Sequence, residues 1–228
     1  MPEPSAPEQV SGDQTAAFAV DRLRGRVRVL HVVRGESLVS ARLALAGFDV
    51  MIVHDAGLAA LEGLFDAIVF THSLSNVASL EQTIAQAARL LSPQGRLVVD
   101  DLDAVAPDAM SARWFHDTQD LLAVCGLYPA ARVHPEGADS LARWRTGIKR
   151  DGVMHGGTDM RVAVSARFVI RELRRVEGFY RLIAEGLSND DRGVAIASHL
   201  RAVERRSIAN DTLMAIGLRI VADRAGRD

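Results

Sequence analysis

The sequence has a single cysteine, Cys125, a single lysine, Lys149, and few aromatic residues, 5% in all. One cysteine excludes an intrachain disulfide, which fits a reducing compartment, and the cytoplasm is the expected location. No apolar run reaches the roughly 18 to 20 residues that a bilayer span requires. The first residues, MPEPSAPEQVSGDQT, lack a basic start followed by an apolar stretch. A signal peptide is therefore not expected, and residues 1–20 read as a disordered lead-in. A formal net charge of -2 gives no global attraction to nucleic acid or anionic lipid, so neither is an expected partner. The seven histidines have none of the paired short spacings used by zinc sites, and no metal is expected.

What is present is an ordinary globular composition, 48% hydrophobic over 228 residues, enough for one sizeable core. Residues 21–228 are expected as a single domain, with 27–103 as its α/β half and 104–228 as a cap with closing strands. Val27–Val33 (VRVLHVV) is a β-rich run, followed by a turn at Arg34–Ser37, a helix over Leu38–Ala46, and Gly47 as the helix stop. Asp49–Val53 then resumes as a strand. Phe65–Thr71 (FDAIVFT) is another strand, Leu80–Leu91 has helical apolar spacing, Ser92-Pro93-Gln94-Gly95 is a turn, and Arg96–Val99 is a strand. Nearly all-apolar strands alternating with helices predict an α/β fold with a parallel sheet covered on both faces. Beyond Asp103 the expected elements are a helix over Met110–Cys125, an irregular stretch to about Thr158, a strand over Phe168–Arg174, helices over Phe179–Leu187 and Asp191–Ile208, and a last strand over Leu213–Ala222.

The stretch FDAIVFTHSLSNVASLEQTIAQAARLLSPQGRLVVDDLD resembles the class I S-adenosylmethionine (SAM) methyltransferases, matching their strand four, polar loop, helix, Pro-x-Gly turn and strand five. Ala112–Phe115, Leu141–Trp144, Phe168, Phe179–Arg181, Glu204-Arg205 and Gly217–Val221 resemble a bacterial branch of the same superfamily. The resemblance implies a Rossmann-like sheet ordered 2-1-4-5-7-6 in the family's strand numbers, with the last strand antiparallel.

It also implies where a cofactor would sit. The family's first strand ends in an acid followed by three alternating glycines, and the matching positions here are His31, Val33, Gly35 and Ser37. The family's ribose-binding acid at the end of strand two is matched by His54, with Asp55 one place later; alternation along a strand points these two in different directions. About ten residues, Asp55–Leu64, separate the second and third expected strands, too few for a helix and a further strand, so the family's strand three is expected to be missing. The loop after strand four is Thr71-His72-Ser73. If SAM binds at all, the candidate contacts are His31, Gly35, His54, Asp55 and Thr71, and His72 is the one candidate catalytic residue, as a general base.

Each of these has a plainer alternative. His72 is equally a polar strand-end residue. Arg34 is an anion contact or a solvated turn residue. Asp100, Asp101 and Asp103 either hold a divalent ion or divide into a helix cap and water-facing groups. Trp114, Trp144, Phe168, Phe179 and Tyr180 line a substrate pocket or fill a core. Cys125 reads as packing. The resemblance with a thinned cofactor motif implies a methyltransferase-like protein without cofactor, a non-catalytic subunit paired with a homologous active methyltransferase, or else a homodimer. The alternative is an active small-molecule methyltransferase with a remodelled SAM site.

Overall fold

The computed structural model describes residues 6–34, 37–129, 139–150 and 154–224, with the side chains of 6–8, 55 and 148–150 outside the description. Where a single domain is expected, the chain divides into two compact units, residues 12–103 with 153–175 and 218–228 in one, and 1–11 with 104–152 and 176–217 in the other. The division at Asp103 falls where the sequence pattern loosens, but later segments return to the first unit.

The first unit is built on strands β1 (Arg28–Val33), β2 (Asp49–His54), β3 (Phe65–Thr71), β4 (Leu91–Leu102), β5 (Phe168–Val176) and β6 (Gly217–Arg224), in the order β2-β1-β3-β4-β6-β5. This is the expected order, and among the described residues no strand lies beyond β2. β1 pairs in parallel with β2 and β3, and β3 with β4. Arg96 pairs with Asp223 while Asp100, four residues on, pairs with Arg219, four residues back, so β6 runs antiparallel to β4. Between Phe65↔Leu91 and Ala67↔Arg96 the register slips, and the Ser92–Gly95 turn bulges out of β4.

Alternation along each strand assigns two faces. Leu30, Val32, Ile68, Phe70, Leu97, Val99, Leu218 and Ile220 pack against Leu80, Ile84, Ala87 and Leu90 of α3 (Leu80–Leu90) and Met160 and Val164 of α6 (Gly157–Ser165). Ser79 starts α3 by accepting the Gln82 N–H, the expected role of a serine N-cap. Val29, Ala67, Val69, Val98 and Val221 face the other way, against Ala16, Phe18 and Ala19 of α1 (Ala6–Arg22) and Val39 and Leu43 of α2 (Leu38–Leu45).

Helix α1 corrects the expected disordered lead-in. Ala16, Phe18, Ala19 and Leu23 are buried against the sheet, and Arg42 of α2 pairs with Asp13, so apolar packing orders the helix despite Gly12 and several polar residues. The expected irregular stretch up to Thr158 is corrected too, since it contains α5 (Ser140–Arg150) and the start of α6.

The second unit holds α4 (Ala109–Val124), α5, α7 (Phe179–Ala184) and α8 (Asp191–Ala209). Its centre is aromatic. Phe115 meets Trp144 edge-on at 5.0 Å, and Phe179 lies 5.4 Å from Trp144 and 5.9 Å from Trp114. The Trp144 indole N–H donates to the Ala104 carbonyl at 2.7 Å. Phe115, Trp144, Phe179 and Tyr180 are buried core residues of this unit, whereas Phe168 belongs to the sheet core.

Candidate functional site

In an open α/β sheet, ligands bind outside the carboxyl ends of the strands, where the strand order reverses direction. Here that point lies between β1 and β3, because the chain leaves β1 toward β2 on one side and returns as β3 on the other. Val33 and Arg34 end β1, His54 ends β2, and Thr71, His72 and Ser73 leave β3. A polar cleft lined by Gly25, Arg26, Asp66, Ser92, Pro93 and Gln94 lies at the opposite, amino end and has no part in this crevice.

His31 is fully buried, and both ring nitrogens have partners: Nδ1 lies 2.7 Å from Ser40 Oγ of α2, and Nε2 lies 2.8 Å from Thr71 Oγ1 of β3. Burial pushes its pKa down to about 4, so the ring is neutral at physiological pH. A neutral imidazole has one N–H and one lone pair, and hydroxyls serve either role, so the set closes without charge. Two of the candidate cofactor contacts, His31 and Thr71, are therefore brought together but spent on each other. The arrangement ties α2 to the sheet.

His54 is exposed at the end of β2, and its Nδ1 lies 3.1 Å from the Val33 carbonyl. A carbonyl only accepts, so Nδ1 carries a proton and donates it to Val33. Asp55 opens the short 3-10 turn that follows, with its side chain outside the described residues, and Gly35 lies outside them altogether. Arg34 is exposed beside the undescribed pair 35–36.

His72 sits at φ 49°, a left-handed conformation that histidine visits more readily than branched residues do. The loop behind it is held from several sides. His72 N–H donates to the Asp100 carbonyl at 3.0 Å, and Ser73 Oγ donates to the Val32 carbonyl at 3.0 Å. Asp101 Oδ2 accepts the N–H groups of Leu74 at 2.8 Å and Ser75 at 3.2 Å, while its Oδ1 accepts Ser75 Oγ at 2.6 Å. From the far side His155 donates its backbone N–H to the Ser75 carbonyl and its Nε2–H to the Val77 carbonyl.

The acidic run differs from both of its sequence readings. Asp100, Asp101 and Asp103 are all buried. Asp100 accepts from Thr15 Oγ1 and Arg219 Nε, Asp101 organises the loop, and Asp103 pairs with Arg175 at 2.6 Å. None caps the following helix, a task taken by Asp108 toward the Ser111 N–H, and none faces water. Among the described residues, no group of three or more His, Cys, Asp or Glu is arranged to hold a metal ion. Sequence reasoning missed Ser40 and Ser75, and the roles of Asp101 and His155. Only the alternation that sends Asp100 and Asp101 to opposite faces could have separated their roles beforehand.

A methyltransferase domain family model matches residues 15–145, more than half of the chain. The chain belongs to this family. No match is found among curated proteins. Among solved structures, the mycolic acid cyclopropane synthase CmaA1, complexed with SAH and CTAB, is similar with a TM-score of 0.56 at 12% identity, over 95% of this chain and 85% of that one. The cyclopropane synthase MmaA2 from Mycobacterium tuberculosis gives 0.56 at 14%, over 93% and 84%. Geranyl diphosphate C-methyltransferase from Streptomyces coelicolor gives 0.50 at 12%, over 93% and 76%. At such identities the likeness establishes a shared fold, a class I methyltransferase sheet. No helix among the described residues of this methyltransferase-domain protein is long and apolar enough to cross a membrane.

Proposed function

We propose that this methyltransferase-domain protein works without a cofactor, as a non-catalytic subunit that pairs with a homologous active methyltransferase and stabilises or activates it. The observation that carries the reading is the closed His31–Ser40–Thr71 set, which turns two of the expected cofactor contacts inward. SAM bears a cationic sulfonium and two ribose hydroxyls, and the family meets the ribose with a carboxylate that accepts from both hydroxyls. At the matching position stands His54, which lacks a carboxylate's two acceptor oxygens and already donates Nδ1–H to the Val33 carbonyl. At Val33 a side chain stands where the resemblance places the first glycine, and Cβ atoms there restrict close approach to the backbone. Methyl transfer from SAM depends mainly on holding donor and acceptor in line, so weakening that hold removes most of what the fold supplies to catalysis.

The test is calorimetric titration of the isolated protein with SAM and S-adenosylhomocysteine. No heat of binding, together with co-purification of a second methyltransferase, is the expected result, and micromolar binding of either ligand would sink the reading. Binding would favour the second reading, an active small-molecule methyltransferase using Gly35, Asp55 and the Thr71–Ser73 loop. That reading is favoured by the SAH present with CmaA1 and with the geranyl diphosphate C-methyltransferase.

A further inference from the structure

Strands β2 and β5 are the two edges of the sheet, and the chain guards them unequally. Unpaired edge strands are templates for association unless charge, proline or a covering element blocks them. β5 carries Arg171, Arg174 and Arg175, each exposed and each in an ion pair, with Asp223, Glu172 and Asp103 respectively. β2 reads Asp-Val-Met-Ile-Val-His, without lysine, arginine or proline. Met51 is 40% and Ile52 55% exposed on it, and Leu45, at the end of the helix packed on β2, is 79% exposed.

We propose that β2 pairs with β2 of a second copy of this chain, antiparallel about a two-fold axis at the strand centre, joining two six-stranded sheets into one. Two observations single out a second copy. The first is apolar self-complementarity. With the axis at Met51, Met51 meets its own copy, Val50 faces Ile52 of the second copy, and Ile52 faces its Val50, each pair on one face of the joined sheet.

The second is charge. The two Asp49 residues end up four positions apart along the seam, about 13 Å at the rise of a strand, which exceeds a screening length of about 8 Å. The same operation on β5 would crowd Arg171, Arg174 and Arg175 of both copies into one seam. This inference stands independently of whether SAM binds.

Light scattering on the purified chain tests it first, with a particle of twice the 24.7 kDa chain mass expected. Ile52→Lys is expected to give a monomer with an unchanged far-ultraviolet circular dichroism spectrum. A second measurement does not depend on disrupting anything. In a Cys125→Ser background, Met51→Cys places a cysteine opposite its own copy, where opposed residues lie about 4.5 to 5.5 Å apart, within disulfide reach, whereas Ile52→Cys faces Val50 of the second copy. Met51→Cys is expected to cross-link into a covalent dimer under mild oxidation, and Ile52→Cys is not.

A monomeric wild-type chain, a dimer indifferent to Ile52→Lys, or failure of Met51→Cys to cross-link overturns the proposal. A monomer that forms a one-to-one complex with a co-expressed methyltransferase also overturns it, while supporting the heteromeric reading above.

Discussion

His31 Nε2 lies 2.8 Å from Thr71 Oγ1, across the two strands whose carboxyl ends frame the crevice. This bond shows that the position where the resemblance expects an acid holds a neutral, inward-turned ring. Burial lowers the His31 pKa from 6.5 to about 4. Above pH 6.5 the ring is neutral in both folded and unfolded chains. As pH falls below 6.5 the unfolded chain takes up a proton that the folded chain refuses, so stability falls between pH 6.5 and 4 and levels off below. The span corresponds to a loss on the order of 3 kcal/mol. Urea unfolding at pH 7, 5.5 and 4.5 checks it: a His31→Asn chain is expected to lack this part of the slope, and an identical slope in the two chains counts against it.

Removing either hydroxyl from the set leaves a buried ring nitrogen without a partner. Thr71→Val keeps the shape and is expected to cost about 1 to 3 kcal/mol. Ser40→Ala is expected to cost about the same, and the double variant less than the sum, because both bonds belong to one ring. Strictly additive losses in denaturant midpoints would show that the two hydroxyls act separately.

Asp101 gathers Leu74 N–H, Ser75 N–H and Ser75 Oγ on one buried carboxylate. Asp101→Asn replaces one accepting oxygen with a donor, which then confronts either the Leu74 and Ser75 amides or the Ser75 hydroxyl and the Leu102 N–H. The expected outcome is a loss of about 2 kcal/mol, with faster hydrogen exchange at Leu74 and Ser75 and unchanged exchange in α3. Unchanged exchange at Leu74 and Ser75 would mean that Ser73 and His155 alone hold the loop.

The strands and the helix between Phe65 and Leu102 were legible in the sequence because their apolar periodicity is strong and the turn signal at Ser92–Gly95 is local. Helix α1 was not legible. Its buried side mixes Ser11 and Thr15 with Ala16, Phe18 and Ala19, beside Gly12, Asp13 and Gln14, so little local signal marks a helix that tertiary packing on Val29, Val69 and Val98 orders. The positions of His31 within β1 and of His54 and Thr71 at strand ends were legible as well. Their partners were not, since Ser40 reaches His31 only through the docking of α2, and a strand pattern does not encode that docking.

The second unit contains the opposite electrostatic case. Glu204 of α8 is fully buried, with Oε1 accepting the Gly178 and Phe179 N–H groups at 2.7 and 2.9 Å and Oε2 accepting that of Tyr180 at 2.9 Å. These are the unsatisfied donors at the start of α7, so the carboxylate caps that helix from another element. Desolvation nonetheless raises its pKa above 4.5, outweighing the three donors. Because the folded pKa is the higher one, the contribution of this group is fully present below pH 4.5 and is lost as pH rises through the folded value, opposite in sense to His31. Glu204→Gln abolishes that titration but points an amide N–H₂ at one set of backbone donors. At pH 7 the variant is expected to be less stable by about 2 to 4 kcal/mol. The gap to wild type should widen as the pH is lowered toward 4.5, because only the wild type recovers by protonation. Unfolding curves for the two chains that keep a constant separation from pH 7 to 4.5 would show that Glu204 does not titrate in this window.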